Sequence, residues 1–160
     1  MDALNIVCVD DQREVLAALR NDLEAFEAYF TIVDCESAGE AVEVLDEIDA
    51  AGEHAALIVC DHVMPRKNGV DFLAEVDEDG RFPHTKKLLL TGLATHEDTI
   101  QAINRAHINC YIGKPWDRDD LTGVIKTLVT EYIVHAGLDY QPLVAFLDQQ
   151  VLYRTLRNRV

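Results

Sequence analysis

Basic residues are scarce in this chain: 14 Lys and Arg stand against 29 Asp and Glu over 160 residues, a formal net charge of -15. Such a field repels phosphate backbones, so direct nucleic-acid binding by this chain is not expected. No apolar run approaches the ~20 residues of a membrane span, and the start "MDALNIVCVDD" lacks the basic segment and cleavage site of a secretion signal. A cytoplasmic protein is the expectation. Only four Pro and eight Gly interrupt the chain, and 49% hydrophobic with 27% charged residues excludes a disordered or fibrous class. Cysteine is equally thin. Cys8, Cys35, Cys60 and Cys110 have no C-x-x-C pairing, and each lies in or at the end of a strand-like apolar run. They read as buried reduced thiols rather than as a metal site.

What the chain does have is alternation. Short β-rich runs, "LNIVCV" (4–9), "FTIVDC" (30–35), "ALIVC" (56–60), "KLLLT" (87–91) and "NCYIG" (109–113), are separated by longer amphipathic segments. That order predicts βα units around a parallel sheet. The first, third and fourth runs are nearly continuous in apolar residues, as in central strands buried on both faces, and the more mixed second belongs at an edge. Helical spacing appears at Val15, Leu16, Leu19, Leu23 and Phe26, and again at Ala41, Val44, Leu45 and Ile48, where Ser37 and Glu40 form a capping box. "GVDFLAEVDED" and "HEDTIQAINRA" read as helices three and four, and a fifth starts near Asp117 and runs to about Val134.

A domain of residues 1–135 is complete at that point, leaving 136–160 as an extension. There "HAGLDYQP" supplies a Gly stop and a Pro that can open a new helix. Leu143, Leu147 and Val151, four apart, with Leu152 and Leu156 beside them, predict a sixth helix over 138–160. Residues 126–160 carry Lys126, Arg154, Arg157 and Arg159 against Glu131, Asp139 and Asp148, a net of +1 in a very acidic protein. The change of sign favours dimerisation or a signalling role for this helix over simple packing.

In an open parallel sheet, ligands bind beyond the carboxyl ends of the strands. Those ends hold Asp10 and Asp11, Asp61, Thr91 and Lys114. Converging carboxylates repel one another unless a cation sits among them, and Lys114 offsets only one charge. A hard divalent ion with oxygen ligands, Mg2+, is the natural remedy. Carboxylate, hydroxyl and ammonium around such an ion make a phosphoryl-transfer site with Asp61 as acceptor.

The motifs "VCVDDQ", "VCDHVMPRKNG", "LLLTG" and "YIGKPW" resemble, in order and spacing, the receiver domain of two-component response regulators over about residues 4–128. The resemblance implies a doubly wound five-stranded parallel sheet of flavodoxin-like order 2-1-3-4-5. It further implies that Asp10, Asp11, Asp61 and the backbone carbonyl of Val63 hold Mg2+, that Asp61 is the phosphoacceptor, and that Lys114 and Thr91 meet the phosphoryl group. Thr91 and Tyr111 become the switch pair acting on the face of helix four, strand five and helix five, and Val63 and Leu93 occupy positions that tune phosphoryl lifetime. Implied partners are a sensor histidine kinase or phosphotransfer protein, and a second copy through the C-terminal helix or the helix 4/strand 5/helix 5 face. The Lys114-Pro115 peptide is a candidate for the cis form, which would aim the ammonium at the site, and Pro65 and Gly69 flank a loop that turns sharply into helix three.

Each of these residues also has a plainer reading. Aspartates after strands often cap helices, Thr91 and Tyr111 alone would be ordinary strand residues, and His62 is expected to be exposed at the rim of the site. Trp116 either packs the start of helix five or faces a partner. An aspartyl-phosphate phosphatase is the rival enzyme, but strand one ends in adjacent "DD" with no D-x-D. A non-switching scaffold, or the receiver fragment of a longer regulator, are the remaining alternatives.

Overall fold

The computed structural model describes residues 2–92 and 96–158. Leu93 and Arg159, singled out above, lie outside the described residues. Five strands, β1 (Leu4–Val9), β2 (Thr31–Cys35), β3 (His54–Asp61), β4 (Lys86–Thr91) and β5 (Cys110–Gly113), form one parallel sheet in the order β2-β1-β3-β4-β5. Among the described residues six α-helices accompany it: α1 (Arg13–Asp22), α2 (Ala38–Ala50), α3 (Gly69–Glu78), α4 (His96–Ala106), α5 (Arg118–His135) and α6 (Gln149–Arg157). This is the doubly wound order expected from the motifs.

Alternation along the strands divides the core in two. Ile6, Cys8, Leu57, Val59, Leu88 and Leu90 point to the side covered by α1 and α5. Val7, Val9, Ile58, Cys60 and Leu89 point to the side of α2 and α3. Successive side chains on a strand face opposite ways, so a strand needs an unbroken apolar run to be buried on both faces. β1 and β4 are buried along their whole length, and β3 at every residue after His54. Lys86 and Lys87 join β4 although they carry charge: their stems are buried, while Lys87 Nζ reaches Asp77 at 3.1 Å and Lys86 Nζ reaches His135 Nδ1 at 3.2 Å.

Three local expectations are corrected. The helical pattern through Phe26 breaks after Asp22 into a 3-10 turn, Glu24–Ala28. Residues three apart eclipse in that tighter turn, which brings Leu23 and Phe26 to the same buried side. The capping box at α2 is displaced by one residue: Ser37 Oγ accepts from Glu40 N–H, but the Glu40 carboxylate takes the N–H of Glu36. The third concerns the extension, which is two pieces rather than one helix.

α5 stops at Gly137, whose φ of +72° needs no Cβ, with Gly137 N–H to Val134 O and Leu138 N–H to Ile133 O closing the end. A 3-10 turn (Gln141–Leu143) follows, and Asp148 then caps α6 by accepting from Val151 N–H. The apolar stripe is covered by its own chain, with Leu143, Leu147, Val151 and Leu152 all buried. Phe146 seats against Phe26 edge-on with ring centroids 5.0 Å apart, against Tyr29 at 4.9 Å, and under the Lys126 ammonium at 4.8 Å.

Candidate functional site

β1, β3 and β5 place Asp10, Asp61 and Lys114 at one edge of the sheet. Asp10 follows the last residue of β1, its N–H held by Cys35 O at 3.0 Å, and its side chain is fully buried. One of its oxygens accepts from Gln12 N–H at 2.8 Å and the other from Lys114 Nζ at 2.8 Å. Asp61 ends β3, buried, with Oδ1 3.0 Å from the same ammonium. Asp11 is exposed, yet carboxylate oxygens of Asp10, Asp11 and Asp61 all lie within 4.8 Å of one another.

Burial raises the Asp61 pKa, and the neighbouring Asp10 charge adds to it, against the hydrogen bond from Lys114 that lowers it. For Lys114 burial works downward, but its hydrogen bonds to Asp10 and Asp61 win and the net shift is upward. The ammonium therefore stays charged and the cluster keeps excess negative charge. An all-oxygen donor set around such a deficit of cation fits Mg2+, which prefers carboxylates and water.

The Lys114-Pro115 peptide is cis. Lys114 N–H donates to Thr91 O at 3.0 Å, which joins the end of β5 to the end of β4, and Thr91 itself is buried. Tyr111 is 47% exposed on the outer side of β5. Val63 lies exposed in the loop after β3. The structure thus brings Asp10, Asp11, Asp61 and Lys114 into one cluster and ties Thr91 to it through the backbone, while the Tyr111 side chain faces solvent.

His62 departs from its expected place. It is half-buried, its backbone is pinned on both sides by bonds to Leu90 O (3.2 Å) and from Gly69 N–H (2.8 Å), and its Nδ1 is buried with no hydrogen-bond partner among the described residues. Gly69 had read as a turn residue, but its role is close approach: a Cβ there would lie 2.1 Å from Asp61 O. The left-handed residue of this loop is Arg66, at φ +73°. Trp116 turns inward, donating its indole N–H to Asp22 Oδ2 at 2.7 Å. Nothing local in the sequence announced Asp22, although an indole N–H that becomes buried needs an acceptor.

A response regulator receiver domain model matches residues 6–126. The chain is 34% identical over 124 residues to the hydrogenase transcriptional regulatory protein HoxA of Cupriavidus necator, covering 78% of this chain and 24% of that protein. It is 28% identical over 113 residues to the chemotaxis protein CheY1 of Helicobacter pylori, covering 71% and 86%. Among solved structures, the signal receiver domain of an HD domain-containing protein from Pseudomonas fluorescens superposes with a TM-score of 0.74 at 24% identity, covering 86% of this chain and 94% of that one. A CheY-like receiver domain protein from Methanospirillum hungatei gives 0.69 at 28% identity, covering 84% and 99%.

The chain belongs to the response regulator receiver domain family of two-component systems, a family whose receiver domains serve phosphorylation-dependent signalling in general. Such domains bind Mg2+ at an acidic pocket and interact with histidine kinases or phosphotransfer proteins. The chain spans about a quarter of the length of the hydrogenase regulators it matches. Among the described residues no helix is long and apolar enough to cross a membrane.

Proposed function

We propose that Asp61 accepts a phosphoryl group from a phosphohistidine on a sensor histidine kinase or a phosphotransfer protein, and that this chain slowly hydrolyses the product itself. A carboxylate oxygen of Asp61 attacks phosphorus, the P–N bond to the donor imidazole breaks, and the imidazole leaves with a proton from solvent. In the reverse of the signal, water attacks phosphorus, the acyl P–O bond breaks, and carboxylate and inorganic phosphate result. The chain acts as a switch and is not an enzyme on other substrates.

Asp10, Asp11, Asp61 and the Val63 carbonyl would hold Mg2+, which when bound draws charge from the phosphoryl oxygens. Lys114 pairs with a phosphoryl oxygen in place of the carboxylate oxygen it now contacts, and the Thr91 hydroxyl meets another. Thr91 and Tyr111 then carry the change to the α4–β5–α5 face, where Ile100, Ile103 and Tyr111 are exposed. That face, more than the buried stripe of the extension, supports a homodimer contact. Residues 1–135 act as the receiver and 136–160 as its C-terminal extension, of which the described part, to residue 158, packs on the receiver through Phe146, Leu143 and Leu147. Cytoplasmic residence suits four unpaired thiols, and the net charge of -15 argues against direct nucleic-acid contact.

The observation that carries this reading is the Lys114 ammonium shared between Asp10 and Asp61 inside a three-carboxylate cluster. Intact mass after incubation with Mg2+ and acetyl phosphate tests it. A phosphoryl adduct on the wild type that is absent from Asp61→Asn is the expected result. No adduct on the wild type would leave a receiver-like scaffold without chemistry.

A further inference from the structure

The loop that carries Lys114 is anchored at a second point that phosphoryl transfer does not use. Trp116, two residues along, donates to Asp22 at the end of α1, and the Arg118 guanidinium stands 3.9 Å from the other oxygen of Asp22. Asp22 is mostly buried, with its side chain 16% exposed. The chain leaves Asp22 directly into the 3-10 turn whose Phe26 meets Phe146 of the extension. One short path of contacts therefore joins the ammonium facing Asp61 to the seat of the C-terminal segment.

An open cleft flanks that path. A cavity of about 490 Å³ lies between Asp22, Phe26, Arg118, Gly123, Lys126 and Phe146. Close-packed contacts such as Phe26–Phe146 pass a displacement on because packed side chains yield little, and the open cleft beside them leaves the Phe146 ring room to move. Phe146 and Asp22 at the end of α1 both line it. Beyond this seat, the extension is held through Asp148 N–H to Thr130 Oγ1 at 3.2 Å and by the buried Leu143 and Leu147.

We propose that the Trp116–Asp22 hydrogen bond transmits the phosphorylation state of Asp61 to the C-terminal extension, loosening Phe146 from its aromatic seat when Asp61 is phosphorylated. The proposal rests on the phosphoacceptor reading above. A phosphoryl group on Asp61 adds negative charge and new acceptors, so Lys114 must re-aim. The loop moves with it, Trp116 drags Asp22, and the 3-10 turn shifts under Phe146. The extension is thereby a responding element of this chain rather than a passive cover.

Hydrogen exchange over residues 138–158, with and without Mg2+ and acetyl phosphate, tests the coupling when intact mass is read on the same samples. Expected is exchange faster by on the order of tenfold in the phosphorylated protein, with a shift in emission from Trp116, the one tryptophan of the chain. Asp22→Ala should form the adduct as the wild type does while the extension no longer responds. Asp22→Asn, which keeps an oxygen acceptor, should retain the response. If Asp22→Ala does not fold, Trp116→Phe takes its place, removing the donor and keeping the ring. A wild-type adduct with unchanged exchange in the extension, or a full response in the variant that lacks the bond, overturns the coupling. Absence of any wild-type adduct instead overturns the phosphoacceptor reading, and the coupling with it.

Discussion

The Lys114 ammonium lies 3.0 Å from Asp61 Oδ1, close enough to neutralise one carboxylate of a cluster that holds three. Lys114→Met removes that charge and leaves buried Asp10 and Asp61 facing each other. Breaking a partly buried charge pair from one side should cost about 2 kcal/mol in urea unfolding without divalent ions. Millimolar Mg2+ should recover part of it. Adduct formation with acetyl phosphate should slow by about 10²-fold, the usual effect of losing one charge-stabilising donor. An unchanged rate would remove Lys114 from the transfer step.

Asp61 carries the opposite stability sign from most native carboxylates. Its pKa is raised in the folded protein, chiefly by burial, so the folded state binds its proton more tightly than the unfolded state does. The associated stability is fully present below the ordinary aspartate value of about 3.9 and is lost as pH rises through the native value. At neutral pH the ionised site is a burden that Asp61→Asn relieves. The variant should melt about 3 °C above the wild type in EDTA, equivalent to ~1 kcal/mol for a chain of this size. Added Mg2+ should narrow or reverse the order by stabilising the wild type through binding. A variant that melts below the wild type in EDTA would contradict this account.

Gly69 sits where a methyl group would collide with the Asp61 carbonyl. That atom is backbone, so no side-chain rotation can relieve the contact. Gly69→Ala should destabilise by about 3 kcal/mol, and it should slow phosphorylation as well because Asp61 itself is displaced. The two effects together separate it from a surface loop change, which would affect neither. Thermal melts and adduct rates on the same variant provide the check.

The sheet was legible because its central strands must be apolar on both faces, and few other structures demand runs such as Leu57–Cys60. The site was legible because strand ends in this topology converge, so Asp10, Asp61 and Lys114 could be placed together from strand positions and motifs. Breaks inside apparently helical stretches were not. Leu23 and Phe26 are three apart, a spacing that an α-helix and a 3-10 turn serve equally well. The apolar spacing predicts a sixth helix running unbroken over 138–160, but the Asp148 carboxylate inside that range starts a new helix by taking the N–H of Val151. The Trp116–Asp22 bond spans 94 residues of sequence and has no local signature at all.

Phe146 is the residue on which the docking of the extension depends most visibly. Its ring touches those of Phe26 and Tyr29 and lies under Lys126. Phe146→Ala removes these contacts at a half-buried site and should cost about 2 kcal/mol. Protease sensitivity should rise first within residues 138–158, ahead of global unfolding, because the cost falls on a local opening. Phe146→Leu should recover some of the loss through apolar burial but none of the cation–π contact. Uniform sensitivity along the chain would mean that the extension is held elsewhere.

Asp77 ties α3 to β4 and to the loop after α4, since its oxygens meet Lys87 Nζ on β4 at 3.1 Å and His107 Nδ1 at 2.6 Å. Burial pushes its pKa up, but the hydrogen bonds from His107 and Lys87 outweigh it and the net shift is downward. The sign is therefore the reverse of that at Asp61. Its stabilisation is present above the ordinary aspartate value of about 3.9 and disappears as pH falls through the lower native value. Asp77→Asn should cost about 1 kcal/mol at neutral pH, a modest figure because His107 is largely exposed to solvent. The difference from the wild type should hold down to about pH 4 and shrink below it, as the native carboxylate takes up its proton. Urea unfolding of both proteins across that range measures the gap directly, and a constant gap at all pH values would show that the loss is steric and not ionic.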